Sequence, residues 1–308
     1  MQKRPIFLLL LLFIVAFAIV QLLGLNIYKK FISTNENAQP MANRQAIEAI
    51  FGRKGTVQDQ VLKLTFPRTD LHVNIGGIPV EPGLGLTSWI AFKQHRNRTM
   101  IMGDLVLLDQ EINPVISKLI EGGVAVTALH NHLIGETPDI MYLHFEGHGE
   151  ALKLAETMKE ALELTGTPLT SLPVQSVGNI DWTIIESILG RTGQKKGNLL
   201  LFSIPRADKI YEDGMEIPPF MGLEIPINFE RVGNQVATTG DFVLLAKEVN
   251  PVVRALRKNG IQITAIHNHM LFETPRVFFL HFWGVGRPEQ LAKGIKEALE
   301  QTNIMKSK

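Results

Sequence analysis

The residues best suited to chemistry are histidines whose spacing repeats along the chain. They are His130, His132 and His144 in one segment and His267, His269 and His281 in another. A glutamate accompanies each set, Glu136 in the first and Glu273 in the second. Three neutral imidazoles and a carboxylate suit Zn²⁺, Fe²⁺, Mn²⁺ or another divalent ion, and an open coordination position would hold water or substrate. We therefore predict that the six histidines are metal ligands.

The two glutamates have alternative predicted roles. Glu136 and Glu273 either complete the ligand sets or stay free as catalytic general bases toward a metal-bound water. In a purely structural interpretation, the histidines satisfy one another where the copies pack, and the glutamates cap a turn or pair with Arg68 and Arg206. We favour metal or ligand binding, because three histidines on a predicted common face occur in both copies.

A predicted hairpin places the histidines of each set on one face. Residues two apart in a strand point to the same side, so His130 and His132 project together. A hairpin centred on Thr137 sets His144 opposite His130. The same face would hold Tyr142, Glu146 and His148, with Phe279 and Trp283 replacing the first two in the second copy. The opposite, apolar face should be covered by helices and holds Met141, Leu143 and Phe145.

A tandem duplication explains the two histidine sets. From Ala128 to Phe145, 10 of 18 positions match the residues found 137 positions later. Self-similarity at a fixed offset is the signature of a repeated structural unit. We therefore predict one repeat domain at residues 43–167, a linker at 168–180 and a second repeat domain at 181–303, as two equivalent domains or one pseudo-symmetric pair.

Each copy mixes strands and helices without regular βαβ alternation. Its predicted elements, numbered for the first copy, are a short helix at Arg44–Phe51, strands near residues 61–66, 88–93 and 99–108, a helix that begins at Asn113 and Pro114, the hairpin, and an amphipathic helix with Ala151, Ala155, Met158 and Leu162 on one face. This order predicts an α+β fold, a tandem duplication of a domain with an antiparallel or mixed sheet and helices packed on one face.

Two further pairs of polar residues recur in the copies. Asp104 and Asp241 each follow a glycine, and we predict that they cap a turn or a strand end, with metal ligation as the alternative. Arg68 and Arg206 each precede an aspartate by two residues, which favours a structural salt bridge over an anion-binding clamp.

The N-terminus carries a predicted transmembrane helix. Lys3 and Arg4 precede an almost wholly apolar run from Pro5 to Leu25, long enough to span a hydrocarbon core of roughly 30 Å. We predict a single-pass anchor at residues 1–30 and a tether at 31–42, with the bulk of the chain extracytoplasmic at the cell membrane. Secretion after cleavage is the alternative.

Composition limits the classes of partner. Lys and Arg number 31 against 30 for Asp and Glu, and no long basic block occurs, so we predict no nucleic-acid binding. The chain has no cysteine, which excludes thiolate metal sites and a lipoprotein cysteine and fits an exported protein without disulfides. The predicted partners are the membrane and a small-molecule or cell-envelope ligand.

One block of motifs occurs twice along the chain and contains Gly-Asp, Glu-x-Asn-Pro-Val, His-Asn-His, Glu-Thr-Pro and Leu-His-Phe. In the first copy it is carried by Gly103, Asp104, Glu111, Asn113, Pro114, His130, Asn131, His132, Glu136 and His144. This block resembles the bacterial LppY/LpqO-like family, a domain of unknown function. The resemblance implies a cell-envelope protein, and some relatives are lipoproteins. This chain lacks the lipobox cysteine, so attachment would be through the apolar helix.

Three functions follow from these patterns. We favour a membrane-anchored extracytoplasmic protein that binds a divalent metal or small ligand through the duplicated histidine sites. A metal-dependent hydrolase of the cell envelope is the first alternative, and it predicts a pocket at each histidine face. A non-catalytic structural or interaction protein is the second, and it predicts that the two faces bury each other without a cavity.

Overall fold

The computed structural model describes residues 43–95, 97–170 and 180–305. The predicted membrane anchor and tether, and most of the predicted linker, lie outside these described residues. Within them, none of the helices combines the length and the apolar character needed to cross a membrane. From Ala46 onward the chain forms one compact unit that contains both copies.

The first copy is built on a six-stranded antiparallel sheet. Its strands are β1 (Thr56–Gln58), β2 (Val61–Pro67), β3 (Val73–Ile75), β4 (Ile78–Val80), β5 (Thr87–His95), β6 (Arg98–Leu107), β7 (Ala125–His130), β8 (Glu136–Thr137) and β9 (Met141–Gly149). The large sheet has the order β1-β2-β5-β6-β9-β7, and β4-β3-β8 form a small separate sheet. The predicted strands near residues 61–66, 88–93 and 99–108 are therefore confirmed as β2, β5 and β6.

The second copy repeats this arrangement. Its strands are β10 (Gln194–Lys196), β11 (Leu199–Pro205), β12 (Ile210–Glu212), β13 (Met215–Ile217), β14 (Glu224–Val232), β15 (Gln235–Leu245), β16 (Gln262–His267) and β17 (Val277–Gly286). The large sheet has the order β10-β11-β14-β15-β17-β16, and β12 and β13 form a hairpin. Both large sheets are antiparallel, so the predicted duplication of an α+β domain is confirmed.

Helices cover one face of each sheet. They are α1 (residues 43–51), α2 (Asp109–Glu121), α3 (Ala151–Glu163), α4 (Thr183–Leu189), α5 (Ala246–Lys258) and α6 (Pro288–Leu299). Leu143 and Phe145 of β9 share an apolar core with Leu154 and Met158 of α3, as the alternation of β9 predicts. Burying each such side chain stabilises the fold by about 1.5–3 kcal/mol.

Helix α2 begins earlier than predicted. It starts at Asp109, so Asn113 and Pro114 lie inside it and are not its cap and first residue. The reason is Glu111, whose carboxylate accepts the Leu108 backbone N–H at 2.9 Å and satisfies a donor at the helix N-terminus. Helix α5 also begins before its Asn-Pro pair, and there the Glu248 carboxylate accepts the Leu245 N–H at 2.8 Å.

A buried ion-pair network ties each helix to its sheet. Arg68 is fully buried and pairs with Asp70 at 2.9 Å, which confirms the predicted salt bridge. It also pairs with Glu111 at 2.8 Å. In the second copy Arg206 makes the same two contacts, with Asp208 and with Glu248. Because α2 and α5 each carry one of these glutamates, the arginine holds the helix N-terminus against the sheet.

The second face of each sheet packs against the other copy. Val106 and Tyr142 of the first copy belong to the same apolar cluster as Leu199 and Trp283 of the second. The Thr264 hydroxyl donates to the His132 carbonyl across the same boundary. The duplication therefore produces one pseudo-symmetric pair, with two sheets enclosed between outer helices.

Candidate metal centre

The six predicted histidine ligands lie together at the boundary between the copies. We call this group the histidine centre. The closest ring pairs join one copy to the other, with centroid separations of 3.4 Å for His130 and His267, 3.7 Å for His132 and His281, and 3.6 Å for His144 and His269. The last two pairs are reciprocal, because the partners exchange equivalent positions between the copies. Reciprocal contacts of this kind define a two-fold arrangement.

The hairpin register differs from the predicted one. His130 pairs with Tyr142 rather than with His144, and Ala128 takes the place opposite His144. A bulge between Val126 and Ala128 shifts the pairing. The segment that follows contains β8, which pairs with β3, so the register of β7 and β9 is not set by a hairpin centred on Thr137. His132 therefore lies beyond the end of β7, yet it still joins the centre.

Two aspartates complete the histidine centre. Asp104 Oδ2 lies 3.8 Å from His132 Nε2, and Asp104 Oδ1 lies 3.9 Å from His144 Nε2. Asp241 lies 3.8 Å from the same atoms of His269 and His281. The predicted turn-capping role is wrong, because both aspartates lie inside long strands, β6 and β15. Strand register brings them here, since Asp104 pairs with His144 and Asp241 with His281.

Close packing explains why a glycine precedes each aspartate. A Cβ atom at Gly103 would lie 2.2 Å from the Trp89 carbonyl oxygen and 2.3 Å from the Phe145 ring. At Gly240 it would lie 2.2 Å from the Pro226 carbonyl oxygen. Glycine thus permits close packing on the helix-covered face, while the aspartate beside it points toward the histidines.

Backbone carbonyls orient the imidazole rings of His130 and His267. His130 Nδ1 lies 3.1 Å from the Asn131 carbonyl oxygen, and His267 Nδ1 lies 3.2 Å from that of Asn268. A carbonyl oxygen only accepts, so Nδ1 carries the proton and Nε2 keeps its lone pair. Histidines that bind metals are commonly oriented by such a second hydrogen bond.

The ring nitrogens that face inward have no hydrogen-bond partner. The Nε2 atoms of all six histidines are buried and unpaired, as is one carboxylate oxygen of each aspartate. Leaving one buried polar group unpaired costs about 1–3 kcal/mol. Six would remove much of the roughly 5–15 kcal/mol that stabilises an ordinary domain. A ligand that accepts these lone pairs would offset that cost.

The nitrogen atoms are close enough together to share an ion. In two groups, one ligand atom from each member lies within 4.8 Å of every other. The groups are His130 with His132 and His144, and His130 with His267, His269 and His281. The second group draws on both copies, so neither copy alone could assemble it. Imidazole with carboxylate suits Zn²⁺, Fe²⁺, Mn²⁺ and related divalent ions.

Burial keeps these side chains uncharged. It lowers the pKa of His130 to about 4 and that of His267 to about 3. Burial, followed by repulsion from neighbouring imidazoles, lowers the pKa of the other four histidines well below the usual range. Burial also raises the pKa of Asp241 to about 8 and that of Asp104 well above its usual range. Neutral imidazoles are the form that binds metals.

Two aromatic rings support the centre from outside. Tyr142 stacks on His132 with a centroid separation of 3.4 Å, and Phe279 stacks on His269 at 3.4 Å. These are equivalent positions, as the predicted replacement of Tyr142 by Phe279 requires. Stacking limits the rotation of the imidazoles, so the ring nitrogens stay aimed at one another.

A cavity of about 260 Å³ opens beside the histidine centre. Its wall includes both aspartates and four of the histidines, namely His132, His144, His269 and His281. Lys63 and Trp89 line it as well, and the Lys63 Nζ lies 4.0 Å from the centre of the Trp89 ring. The two histidine faces thus bury each other, as the interaction hypothesis predicts. They do so around one shared cavity, which that hypothesis does not predict.

The two predicted catalytic glutamates lie apart from the centre. Glu273 Oε1 accepts the Val277 backbone N–H at 3.1 Å, and Glu136 accepts a backbone hydrogen bond from Ile140. Both carboxylates thus cap the turn that contains them. Neither belongs to the two histidine groups or lines the cavity. Their proposed pairing with Arg68 and Arg206 is wrong, and their catalytic role stays a prediction.

Comparison with known proteins identifies the domain but not an activity. Residues 45–164 and 183–301 each match a family described as DUF1529: Domain of Unknown Function (DUF1259). No curated protein matches the chain. PduB, a trimeric bacterial microcompartment shell protein, is 11% identical over 81% of this chain and 90% of that chain, with a TM-score of 0.19.

EtuB from Clostridium kluyveri is 7% identical over 80% of this chain and 88% of that chain, also with a TM-score of 0.19. TM-scores this low support no statement about fold or function. The family match is different in kind, because its two segments together cover more than half of the chain. The chain therefore belongs to this family of unknown function and carries its domain in two tandem copies.

Proposed function

We propose that this protein binds a divalent transition-metal ion at the histidine centre, as a membrane-anchored protein of the bacterial cell envelope. One observation carries the metal proposal, which is the convergence of six buried, unpaired Nε2 atoms between the copies. A polar layer that served packing alone would pair these nitrogens with donors or acceptors. Here they face one another instead.

The chemistry of the ligands narrows the choice of ion. Imidazole nitrogen favours Zn²⁺, Fe²⁺, Mn²⁺ or a related transition metal over Mg²⁺ and Ca²⁺, which prefer oxygen. Asp104 and Asp241 would supply negative charge beside the ion. A cation also reverses the local electrostatics, since it stabilises ionised carboxylates that burial alone keeps protonated.

The direct test is metal content by elemental mass spectrometry. The full chain would be purified in detergent without a polyhistidine tag, beside a His130→Ala/His267→Ala double variant. We expect the unsubstituted chain to bind one ion more than the variant does. His72 is exposed and lies outside both histidine groups, so His72→Ala is the matched control and should retain the ion.

Equal numbers of bound ions in the unsubstituted chain and the double variant, after reconstitution with Zn²⁺, Fe²⁺ or Mn²⁺, would overturn the metal proposal. The histidine centre would then be a polar packing layer, as the structural alternative holds, or a site for an organic ligand. The cavity beside it would favour the organic ligand.

The envelope location rests on the sequence. Residues 1–30 would anchor the chain, and the resemblance to the LppY/LpqO-like family supports an extracytoplasmic domain. Protease treatment of intact spheroplasts tests this, because an extracytoplasmic domain would be digested while a cytoplasmic control protein survives. The proposed partners are the membrane and a small-molecule or cell-envelope ligand.

A metal-dependent hydrolase is the second candidate, favoured by the cavity beside the centre. The cavity wall places Lys63 next to the proposed ligands without making it one of them. If the protein turns over an ester or phosphoester, Lys63→Met should change turnover and leave the metal content unaltered. If neither esters nor phosphoesters are hydrolysed in a metal-dependent way, the hydrolase hypothesis is wrong and metal binding remains the proposed function.

A further inference from the structure

A second group of potential ligands shares no residue with the histidine centre. It forms where the end of β9 in the first copy meets the β12–β13 hairpin of the second. We call this group the acidic corner, and it consists of Glu146, His148, Glu212 and Asp213. His148 Nδ1 lies 3.9 Å from Glu146 Oε1 and 4.0 Å from Asp213 Oδ2. One ligand atom from each of Glu146, His148 and Asp213 lies within 4.8 Å of the others.

Two carboxylates of the acidic corner are buried, and each has one oxygen that no hydrogen bond satisfies. Glu212 is fully buried, and its Oε1 accepts the Phe272 backbone N–H at 3.1 Å while its Oε2 has no partner. Glu146 is 9% exposed, and its Oε2 is also unpaired. The two carboxyl groups are near enough for a direct hydrogen bond. Adjacent buried carboxylates cannot both ionise unless a positive partner lies beside them.

The fold itself does not require this acidic group. The pseudo-symmetric corner has other residues at the equivalent positions. Ile75 and Gly76 are equivalent to Glu212 and Asp213. Trp283 and Val285 are equivalent to Glu146 and His148. Three of these four residues, Ile75, Trp283 and Val285, pack into one apolar cluster. The same backbone framework therefore accepts an apolar corner, so a stability requirement does not explain the charged one.

We propose that the acidic corner binds a divalent cation through Glu146, His148, Glu212 and Asp213. Three carboxylates and one imidazole favour an ion that prefers oxygen and accepts nitrogen, and Mn²⁺ fits that description. Glu212 and Glu146 supply the buried oxygens, and Asp213 and His148 close the site on the solvent side. The acidic corner thus differs from the histidine centre in its dominant donor atom.

A proton shared by Glu146 and Glu212 is the alternative. Burial and the adjoining Glu212 carboxylate raise the pKa of Glu146 to about 8, so a proton occupies this pair when no cation does. That alternative gives Asp213 and His148 no role. Variants of Asp213 therefore separate a cation from a proton.

The test is a Mn²⁺ titration followed by the EPR signal of free aqueous Mn²⁺. The metal-stripped full chain in detergent would carry His130→Ala and His267→Ala, so that the histidine centre contributes no site. We expect one bound Mn²⁺ per chain in this background. Glu212→Gln and Asp213→Gly should each weaken binding by at least about tenfold, because each removes a charged ligand.

The chain provides a matched control for Asp213→Gly. Asp213 is exposed with a φ of 49°, and the equivalent residue in the first copy is Gly76 with a φ of 58°, so glycine fits this turn. Asp59 is also exposed, with a φ of 50°, and the second copy has Gly197 there with a φ of 58°. Asp59→Gly should leave Mn²⁺ binding unchanged.

Two results would overturn the proposal. One is no Mn²⁺ uptake by the background variant, provided that its circular-dichroism melting curve shows a folded protein. The other is equal affinity in the Glu212→Gln, Asp213→Gly and Asp59→Gly chains. If the background variant does not fold, the same substitutions in the unsubstituted chain decide the matter, since the first two should each lower the number of bound Mn²⁺ ions by one.

Discussion

The histidine centre and the acidic corner differ in what each copy contributes. The centre takes equivalent residues from both copies, so His132 meets His281 just as His269 meets His144. The acidic corner takes non-equivalent residues, and its pseudo-symmetric counterpart is apolar. A residue near the two-fold axis contacts the equivalent residues of the other copy. A residue far from the axis has its equivalent at a separate place, where the neighbouring residues can differ. Duplication can therefore preserve chemistry at the axis while the outer corners diverge.

The same comparison separates structural features that both copies have from features that only one copy has. The Arg68 and Arg206 networks recur in both copies, and substitutions there should have matched effects. Residues that differ between the copies should produce effects with no counterpart. The following predictions use this contrast, and each compares a residue with its equivalent in the other copy.

The largest effect is expected at the buried arginines. Arg68→Met and Arg206→Met would each leave two carboxylates without their cation, and we expect each to lower the free energy of unfolding by about 3–5 kcal/mol. Urea denaturation followed by circular dichroism measures this. Arg98 is exposed, so Arg98→Met should stay within about 0.5 kcal/mol of the unsubstituted chain. Clearly unequal losses at Arg68 and Arg206 would contradict the equivalence of the networks.

A smaller and unequal effect is expected at the two glycines before the aspartates. A methyl group at Gly103 would meet the Phe145 ring at 2.3 Å, but at Gly240 it would meet the Phe282 ring at 3.0 Å. We expect Gly103→Ala to cost about 2–3 kcal/mol and Gly240→Ala less. Thermal unfolding would rank the two variants.

The control for the glycine pair is Gly149→Ala. There the added Cβ would lie 3.6 Å from the nearest atom, an ordinary contact, so the melting temperature should barely change. Equal melting temperatures for Gly103→Ala and Gly240→Ala would show that the carbonyl contacts, which are 2.2 Å in both copies, decide the cost instead of the rings.

Local sequence patterns predicted the elements well. Apolar alternation in β9 placed Leu143 and Phe145 under the helices, and helical spacing placed Ala155 and Met158 of α3 in the same core. The glycine that ends α4, Gly190, has a φ of 64°, which is the left-handed conformation expected at a helix C-terminus. These features depend on residues within a few positions of one another.

Features set by distant contacts were not predictable in the same way. The pairing of β8 with β3 changed the register of the hairpin, and the register of β6 against β9 brought Asp104 to His144. The sequence placed Glu146 and His148 on one face, but their partners Glu212 and Asp213 come from the other copy. Finding them required knowing how the two sheets pack, which no local pattern encodes.

The smallest expected effect concerns a residue that only one copy has. Glu230 is 5% exposed, and its equivalent in the first copy is Lys93. Burial, with repulsion from Glu81, raises the pKa of Glu230 to about 7. A raised carboxyl pKa stabilises the fold below the unfolded value of about 4.5, and that stabilisation is lost as the pH rises through about 7.

Glu230→Gln removes this pH dependence, because glutamine does not titrate. The free energy of unfolding of the variant, relative to the unsubstituted chain, should therefore rise between pH 5 and pH 8 by up to about 1 kcal/mol, after allowance for solvent screening. Urea denaturation at both pH values measures the difference. Glu156 is exposed on α3, and Glu156→Gln should show no such rise. If the difference in free energy of unfolding between Glu230→Gln and the unsubstituted chain is the same at both pH values, Glu230 is ionised throughout this range.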